Sequence, residues 1–212
     1  FAKTHYAKFK KEKKLNGKTH NKFSENEINQ LIDLISKAKK PVVYTGGGVI
    51  NSGPQASETL KEFVRLIGFP ITSTLQGLGA FPGDDNQFIG MLGMHGTYEA
   101  NNAMHDCDLL INIGARFDDR ITGKIDEFSP KSKKVHIDID PSSINKIIKV
   151  DLALVGDVKN VLNGINTTLK KKNIDLKKSN KQKISGWWEQ IQKWRTKNSL
   201  NFINSDETIK PQ

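Results

Sequence analysis

Apolar positions along this chain alternate between two periods. After Ser24 they fall at helical spacing (Ile28, Leu31, Ile32, Leu34 and Ile35, as far as Ala38). Ser24 followed three residues later by Glu27 is the capping-box signature of a helix start. Lys39-Lys40-Pro41 ends that helix, and PVVYT (41–45) is a short apolar strand closed by three glycines. Gly53-Pro54 opens a second helix with Ala56, Leu60, Phe63, Val64 and Ile67 on one face and Gly68 as its C-cap. PITST (70–74) is a second strand, 75–87 a glycine-rich irregular stretch, and 88–97 a short apolar segment running into Gly93-Met94-His95-Gly96. Thr97 caps a helix through His105. LLINIG (109–114), KVHIDID (134–140) and LALVGD (152–157) are three further strands. Asp157 caps a helix through Leu169, and a last helix over 184–198 sets Trp187, Trp188, Ile191 and Trp194 on one side.

Strand and helix alternate almost throughout. The predicted fold is α/β: a doubly wound, mainly parallel sheet with helices on both faces. Residues 23–169 form its core, 1–22 a basic linker, and 170–212 a Lys-rich linker and C-terminal helix leading to a further domain.

Several strands end in the same way, with glycine or aspartate, and this sets candidate chemistry at one sheet edge. Gly46, Gly47 and Gly48 let a backbone approach a pyrophosphate, with the free N–H groups of the next helix behind them; a ligand-free tight turn is the alternative. In GARFDDR (114–120), Arg116 can meet phosphate or stack on a flat ring. Asp118 and Asp119 can accept from sugar hydroxyls or orient the two arginines; a self-satisfied ion-pair cluster is the plainer alternative. His136, Asp138 and Asp140 fall on one side of their strand by period two. Those acids could bind a sugar, or a carboxylate could cap the turn toward Ser142-Ser143. Asp157 could bind or simply cap. Met94-His95 between two glycines suits packing beside a flat ligand. Together these suit an elongated, phosphate-bridged ligand such as a flavin or nicotinamide dinucleotide. Gly83-Asp84-Asp85 has two of the three residues of a Gly-Asp-Gly diphosphate–magnesium motif but lacks the last glycine and a preceding strand, so it is not read as a metal site.

Charge removes some classes. The net charge of +10 sits in two flanks: residues 1–22 carry eight lysines against one acid and 170–183 seven against one, whereas 23–169 is net −4. A nucleic-acid binder places its basic face on the folded part, so the lysines read as solvated linkers. No apolar run reaches the roughly 18 residues of a membrane span. The basic N-terminal stretch has no apolar signal region; it is poor in acids, as transit peptides are, but lacks Arg and Ser. The single cysteine, Cys107, excludes an internal disulfide and reads as a buried thiol.

The runs KKPVVYTGGG, STLQGLGAFP, LGMHGT, GARFDDRITGK, VHIDIDPS and GDV resemble the central domain of acetolactate synthase (acetohydroxyacid synthase) catalytic subunits, which are thiamine diphosphate enzymes. The resemblance is dense over about residues 24–170 and loose on to the terminal IKPQ. It implies a Rossmann-like middle domain of a protein about three times as long. The complete enzyme would condense two pyruvates, or pyruvate and 2-oxobutanoate, with loss of carbon dioxide in branched-chain amino acid biosynthesis. Thiamine diphosphate and magnesium would be held by flanking domains, so the chain alone would carry no catalytic residue and no activity. FAD, with no net redox part, would bind this domain at Gly46, Gly47, Gly48, Thr74, Leu75, Leu92, Gly93, Met94, His95, Gly114, Ala115, Arg116, Phe117, Asp118, Asp138, Ile139, Asp157 and Val158. Met94, Asp119 and Arg120 would edge the substrate and inhibitor channel. The family's FAD-contacting arginine before the first helix is matched here by Lys14, which cannot reproduce a bidentate guanidinium. Implied partners are further copies, as homodimer or homotetramer, and a regulatory small subunit. The implied compartment is cytoplasmic, or an organelle in a eukaryote. Competing readings are another thiamine enzyme's middle domain binding ADP or no nucleotide, a sirtuin-like NAD module, and a non-enzymatic interaction domain.

Overall fold

The computed structural model of the protein describes residues 23–172, 176–203 and 205–208. The expected linker over 1–22, with Lys14 inside it, and the terminal IKPQ lie outside the described residues. The helices are α1 (Glu25–Lys37), α2 (Gly47–Asn51), α3 (Pro54–Ile67), α4 (Tyr98–Asp106), α5 (Asp119–Thr122), α6 (Val158–Lys171), α7 (Leu176–Lys183) and α8 (Ser185–Arg195). The strands are β1 (Pro41–Thr45), β2 (Ile71–Ser73), β3 (Phe88–Met91), β4 (Leu109–Ile113), β5 (Lys133–Asp138) and β6 (Leu152–Val155). All pairings are parallel, in the order β3-β2-β1-β4-β5-β6. That order reverses direction between β1 and β4, and in open parallel sheets the crevice outside the strand ends at such a point is where ligands bind.

The helix signals act as expected. Ser24 accepts from the Glu27 N–H while the Glu27 carboxylate accepts from the Ser24 N–H, so two unpaired donors of α1 are satisfied at once. Gly68 ends α3 with φ of 75°, a left-handed turn that glycine adopts without strain. Thr97 caps α4 through the Ala100 N–H, and its own hydroxyl donates to the Ile89 carbonyl on β3. Asp157 caps α6 through the Asn160 N–H. β1 and β4 are buried at every position, as expected for the centre of a sheet covered on both faces. One core cluster joins α1, α3 and α6 to the strands, and α4 packs with α8.

The structure differs from the sequence expectation in one large segment. Residues 170–183 read as solvated linker, yet α6 runs to Lys171 and α7 packs against α3 with Leu176 and Asn180 buried. The Asn180 amide donates to the Ile67 carbonyl at 3.0 Å. α8 then straps the amino edge of the sheet. Trp187 Nε1 donates to Pro41 O, Trp188 Nε1 to Gly68 O, and the Arg195 guanidinium to Phe88 O. These groups give donors to carbonyls at the starts of β1 and β3 and at the C-cap of α3.

Cys107 is buried at the C-cap of α4, its Sγ 3.1 Å from Ser129 Oγ. Burial pushes its thiol up from 9.0 to about 12. The fold therefore favours the neutral thiol. That contribution is intact below the ordinary thiol range and is lost as pH rises toward 12. At pH 8.5 the native thiol is expected to react roughly a thousandfold more slowly with a disulfide reagent than the urea-unfolded chain. Equal rates would show that the thiol is open to solvent.

Candidate functional site

The carboxyl ends of β1, β2, β4 and β5 surround a cleft of about 530 Å³. Gly47, Gly48 and Asn51 form its wall after β1, and Thr74, Leu75 and Gln76 its wall after β2. Gly114, Ala115, Arg116, Asp118, Arg120 and Ile121 follow β4; Asp138, Ile139, Asp140 and Ser143 follow β5. The volume falls in the range of small-molecule and cofactor pockets.

The triple glycine has a packing task besides its place at the cleft. A Cβ on Gly46 would stand 2.6 Å from Ala115 Cα and from Gly114 O; one on Gly48 would stand 2.7 Å from Gly114 Cα. The two amides are already spent, Gly46 N–H on Ile113 O and Gly48 N–H on Gly114 O. These glycines therefore let the β1 and β4 turns touch backbone to backbone, which fixes the cleft floor. Gly114 completes the contact with φ of 62°. Gly47, beside Gln76, faces the cleft.

The charged run after β4 is largely self-organised. Asp118 caps α5 through the Arg120 N–H and pairs with the Arg116 guanidinium at 3.3 Å. The neighbouring Asp119 side chain and the Arg120 N–H hold the Asp118 carboxyl below its usual range. Arg116 is 78 % exposed, so that pair is weak and the guanidinium stays available to a ligand. After β5, Asp138 Oδ1 accepts the Asp140 N–H, while Asp140 caps the turn at Pro141–Ser143 through the Ser142 N–H and Oγ. That capping lowers the Asp140 carboxyl. The cap alternative accounts for Asp140, while Asp138, with Oδ1 on the Asp140 N–H, lines the cleft without capping a helix or turn of its own.

Other expected site residues lie elsewhere. Phe117 turns inward, edge-on to Phe128 and to His136, with ring centres 5.8 and 5.1 Å away. Asp157 caps α6 and accepts from Ser52 Oγ at 2.8 Å, and Val158 is buried; neither lines the cleft. Leu92 is buried with its N–H on Ser73 O. Gly93 is bracketed at both N–H and C=O by the Asn101 amide, while Met94 and His95 project as exposed side chains outside the cleft lining. Gly93 also lies against Ile121 and the Arg120 carbonyl, so the Met94 loop adjoins the helix carrying Asp119 and Arg120. Asp85 of the Gly-Asp-Asp decoy pairs with Arg65.

Asn51, Gln76 and Ile121 in the cleft lining, and Asn112 beneath it, carry no site signal among the strand-end motifs. Asn112 has a signal of another kind: it is the lone amide in an otherwise apolar buried strand.

The thiamine pyrophosphate enzyme central-domain family matches residues 28–165. The acetolactate synthase large subunit of Haemophilus influenzae is 42% identical over 188 residues, 89% of this chain and 32% of that protein. That of Buchnera aphidicola subsp. Schizaphis graminum is 45% identical over 190 residues, again 89% and 32%. The chloroplastic acetolactate synthase of Arabidopsis thaliana is 43% identical over 188 residues, 89% of this chain and 27% of that protein. The chain spans about a third of the length of the curated relatives it matches. With its parallel sheet, its ligand crevice at the strand-order reversal and this match, the chain belongs to the family of thiamine pyrophosphate enzyme central domains.

Proposed function

We propose that this chain forms the middle domain of an acetolactate synthase catalytic subunit and that its cleft binds the nucleotide part of FAD. The observation that carries the reading is the cleft at the β1–β4 reversal, whose lining includes the exposed Arg116 guanidinium and the Asp138 carboxylate beside a glycine-tight floor. The residues fit that group. Arg116 supplies a planar cation for the phosphates, Asp138 an acceptor for ribose hydroxyls, and Gly47 a wall without a side chain. Bound there, FAD supplies no net redox chemistry and serves to order the cleft.

The complete enzyme would join two pyruvates, or pyruvate and 2-oxobutanoate, with release of carbon dioxide. Thiamine diphosphate and magnesium would sit in flanking domains, so this chain alone forms no acetolactate. Further copies and a regulatory small subunit are the proposed partners, and cytoplasm or a eukaryotic organelle the proposed compartment. Among the described residues no helix is long and apolar enough to cross a membrane. Seven exposed large apolar residues lie in the connections that follow the strands: Ile50, Leu75, Leu78, Met94, Ile125, Ile139 and Ile147. These residues suit cover by cofactor and neighbouring domains.

Titration followed by flavin fluorescence tests the reading. Saturable FAD binding, weakened about tenfold in Arg116→Ala, is expected. Binding of ADP but not FAD would point to another thiamine enzyme's middle domain, and binding of NAD alone to a different module.

A further inference from the structure

The centre of a parallel sheet covered on both faces is normally aliphatic, because no water reaches it. Here a polar row crosses four adjacent strands in register: Thr72 on β2, Tyr44 on β1, Asn112 on β4 and His136 on β5. All four are fully buried. Such a row is costly unless its members find partners, and two of them find the same one. Asn112 Nδ2 donates to Ala115 O at 2.7 Å, and the Ala115 N–H donates to Asn112 Oδ1 at 3.2 Å. His136 Nε2 lies 3.1 Å from the same carbonyl and 3.5 Å from Asp138 Oδ2. Two acceptors on one ring nitrogen place the proton on Nε2.

Ala115 is thus held at both its N–H and its C=O by side chains from beneath, not by the strand ladder. Its neighbour Gly114 accepts the Gly48 N–H and packs on the Gly48 backbone. Whatever fixes Ala115 therefore fixes the contact between the two turns that form the cleft floor. His136 Nε2 also stands 3.5 Å from Asp138, a carboxylate of the cleft lining.

We propose that Asn112 and His136 are positioning residues of the cleft: together they clamp the Ala115 peptide, set the distance between the β1 and β4 turns, and so preorganise the nucleotide subsite. The affinity arm of this proposal rests on the reading of the cleft as an FAD site; the geometric arm does not. A preorganised site binds more tightly because less ordering is left to the ligand.

The test compares Asn112→Leu, which keeps the volume and removes both hydrogen bonds, with Asn112→Asp. Neutral aspartic acid can repeat both bonds of the amide, donating to Ala115 O and accepting its N–H. Aspartate cannot donate, and it sets a charge against the carbonyl. Amide exchange by NMR reads Ala115 directly, thermal melting reads folding, and flavin fluorescence reads FAD. In Asn112→Leu the Ala115 amide is expected to exchange at least about tenfold faster and FAD to bind about tenfold more weakly, with β4 and β5 amides still protected. In Asn112→Asp both defects are expected at high pH and relieved as pH falls. The wild type supplies the pH baseline set by Tyr44, Asp118, His136 and Asp138. Unchanged Ala115 exchange in a folded Asn112→Leu, or an Asn112→Asp defect indifferent to pH, would overturn the clamp. If wild-type protein fails to bind FAD while Ala115 exchange responds as expected, the FAD reading falls and the clamp stands. If FAD binds the wild type and a folded Asn112→Leu equally, the link from clamp to affinity falls.

Discussion

Gly46→Ala is expected to destabilise the domain by about 3 kcal/mol or more, and to abolish nucleotide binding with it. The cost does not come from backbone freedom, since Gly46 has φ of −133°, which any residue adopts. It comes from space. The added carbon would stand 2.6 Å from Ala115 Cα, Ala115 Cβ and Gly114 O, and none of these is the tip of a flexible side chain. Relief requires the β1 and β4 turns to part. That breaks the Gly48 N–H to Gly114 O bond and loosens the Asn112 hold on Ala115. For a domain of this size the loss corresponds to roughly 6–12 °C in melting temperature. Gly83→Ala is the control: its Cβ would meet nothing within 4 Å, so it is expected to change stability by less than about 0.5 kcal/mol. Similar melting temperatures for the two variants would mean that the turns are not in the tight contact described.

The strands were legible because a doubly covered parallel sheet needs continuous apolar runs, and Val42, Val43, Leu110 and Ile111 supply them. The longer helices were legible through period and caps, as Ser24, Thr97 and Asp157 show. What escaped was structure set by tertiary contact. α2 opens with two glycines, poor helix formers, and is held by its packing on the β4 turn. α7 reads LKKSNKQK, with one apolar residue, and it buries a polar one: Asn180 is inside because its amide meets the Ile67 carbonyl. The site divides in the same way. Residues whose chemistry is conspicuous, Arg116 and Asp138, lie on the cleft wall where a strand-end argument puts them. Asp140 and Asp157 have equally conspicuous side chains that are spent on caps, a distinction set by the local turn geometry. Asn112 and the Ala115 peptide it holds are three residues apart, so that link was local, yet only the turn at Gly114 brings them face to face.

Trp187→Ala carries the other large expected effect, about 3–5 kcal/mol. Its indole is 3 % exposed, stands edge-on to Trp194 at 5.6 Å and donates to the Pro41 carbonyl, while the Lys40 ammonium lies 5.6 Å over its ring. Truncation removes a large buried area, leaves a cavity between α8 and the start of β1, and leaves a strand-end carbonyl without its donor. Against a typical domain stability of about 5–15 kcal/mol, that is a large fraction. Trp188→Phe is the milder companion. A six-membered ring stays, while the pyrrole part of the half-buried indole and its 3.3 Å bond to Gly68 O are lost, so about 1–2 kcal/mol is expected. The pair distinguishes two pictures of residues 170–212. As a linker leading away from a finished core, the segment would tolerate both changes within about 0.5 kcal/mol in urea melts. As the strap seen here, it makes the folding unit end beyond Arg195, past the 28–165 span of the family match. A chain stopped at Lys172 is then expected to lose its cooperative thermal transition, because the starts of β1 and β3 and the C-cap of α3 lose the three side-chain donors of α8 together.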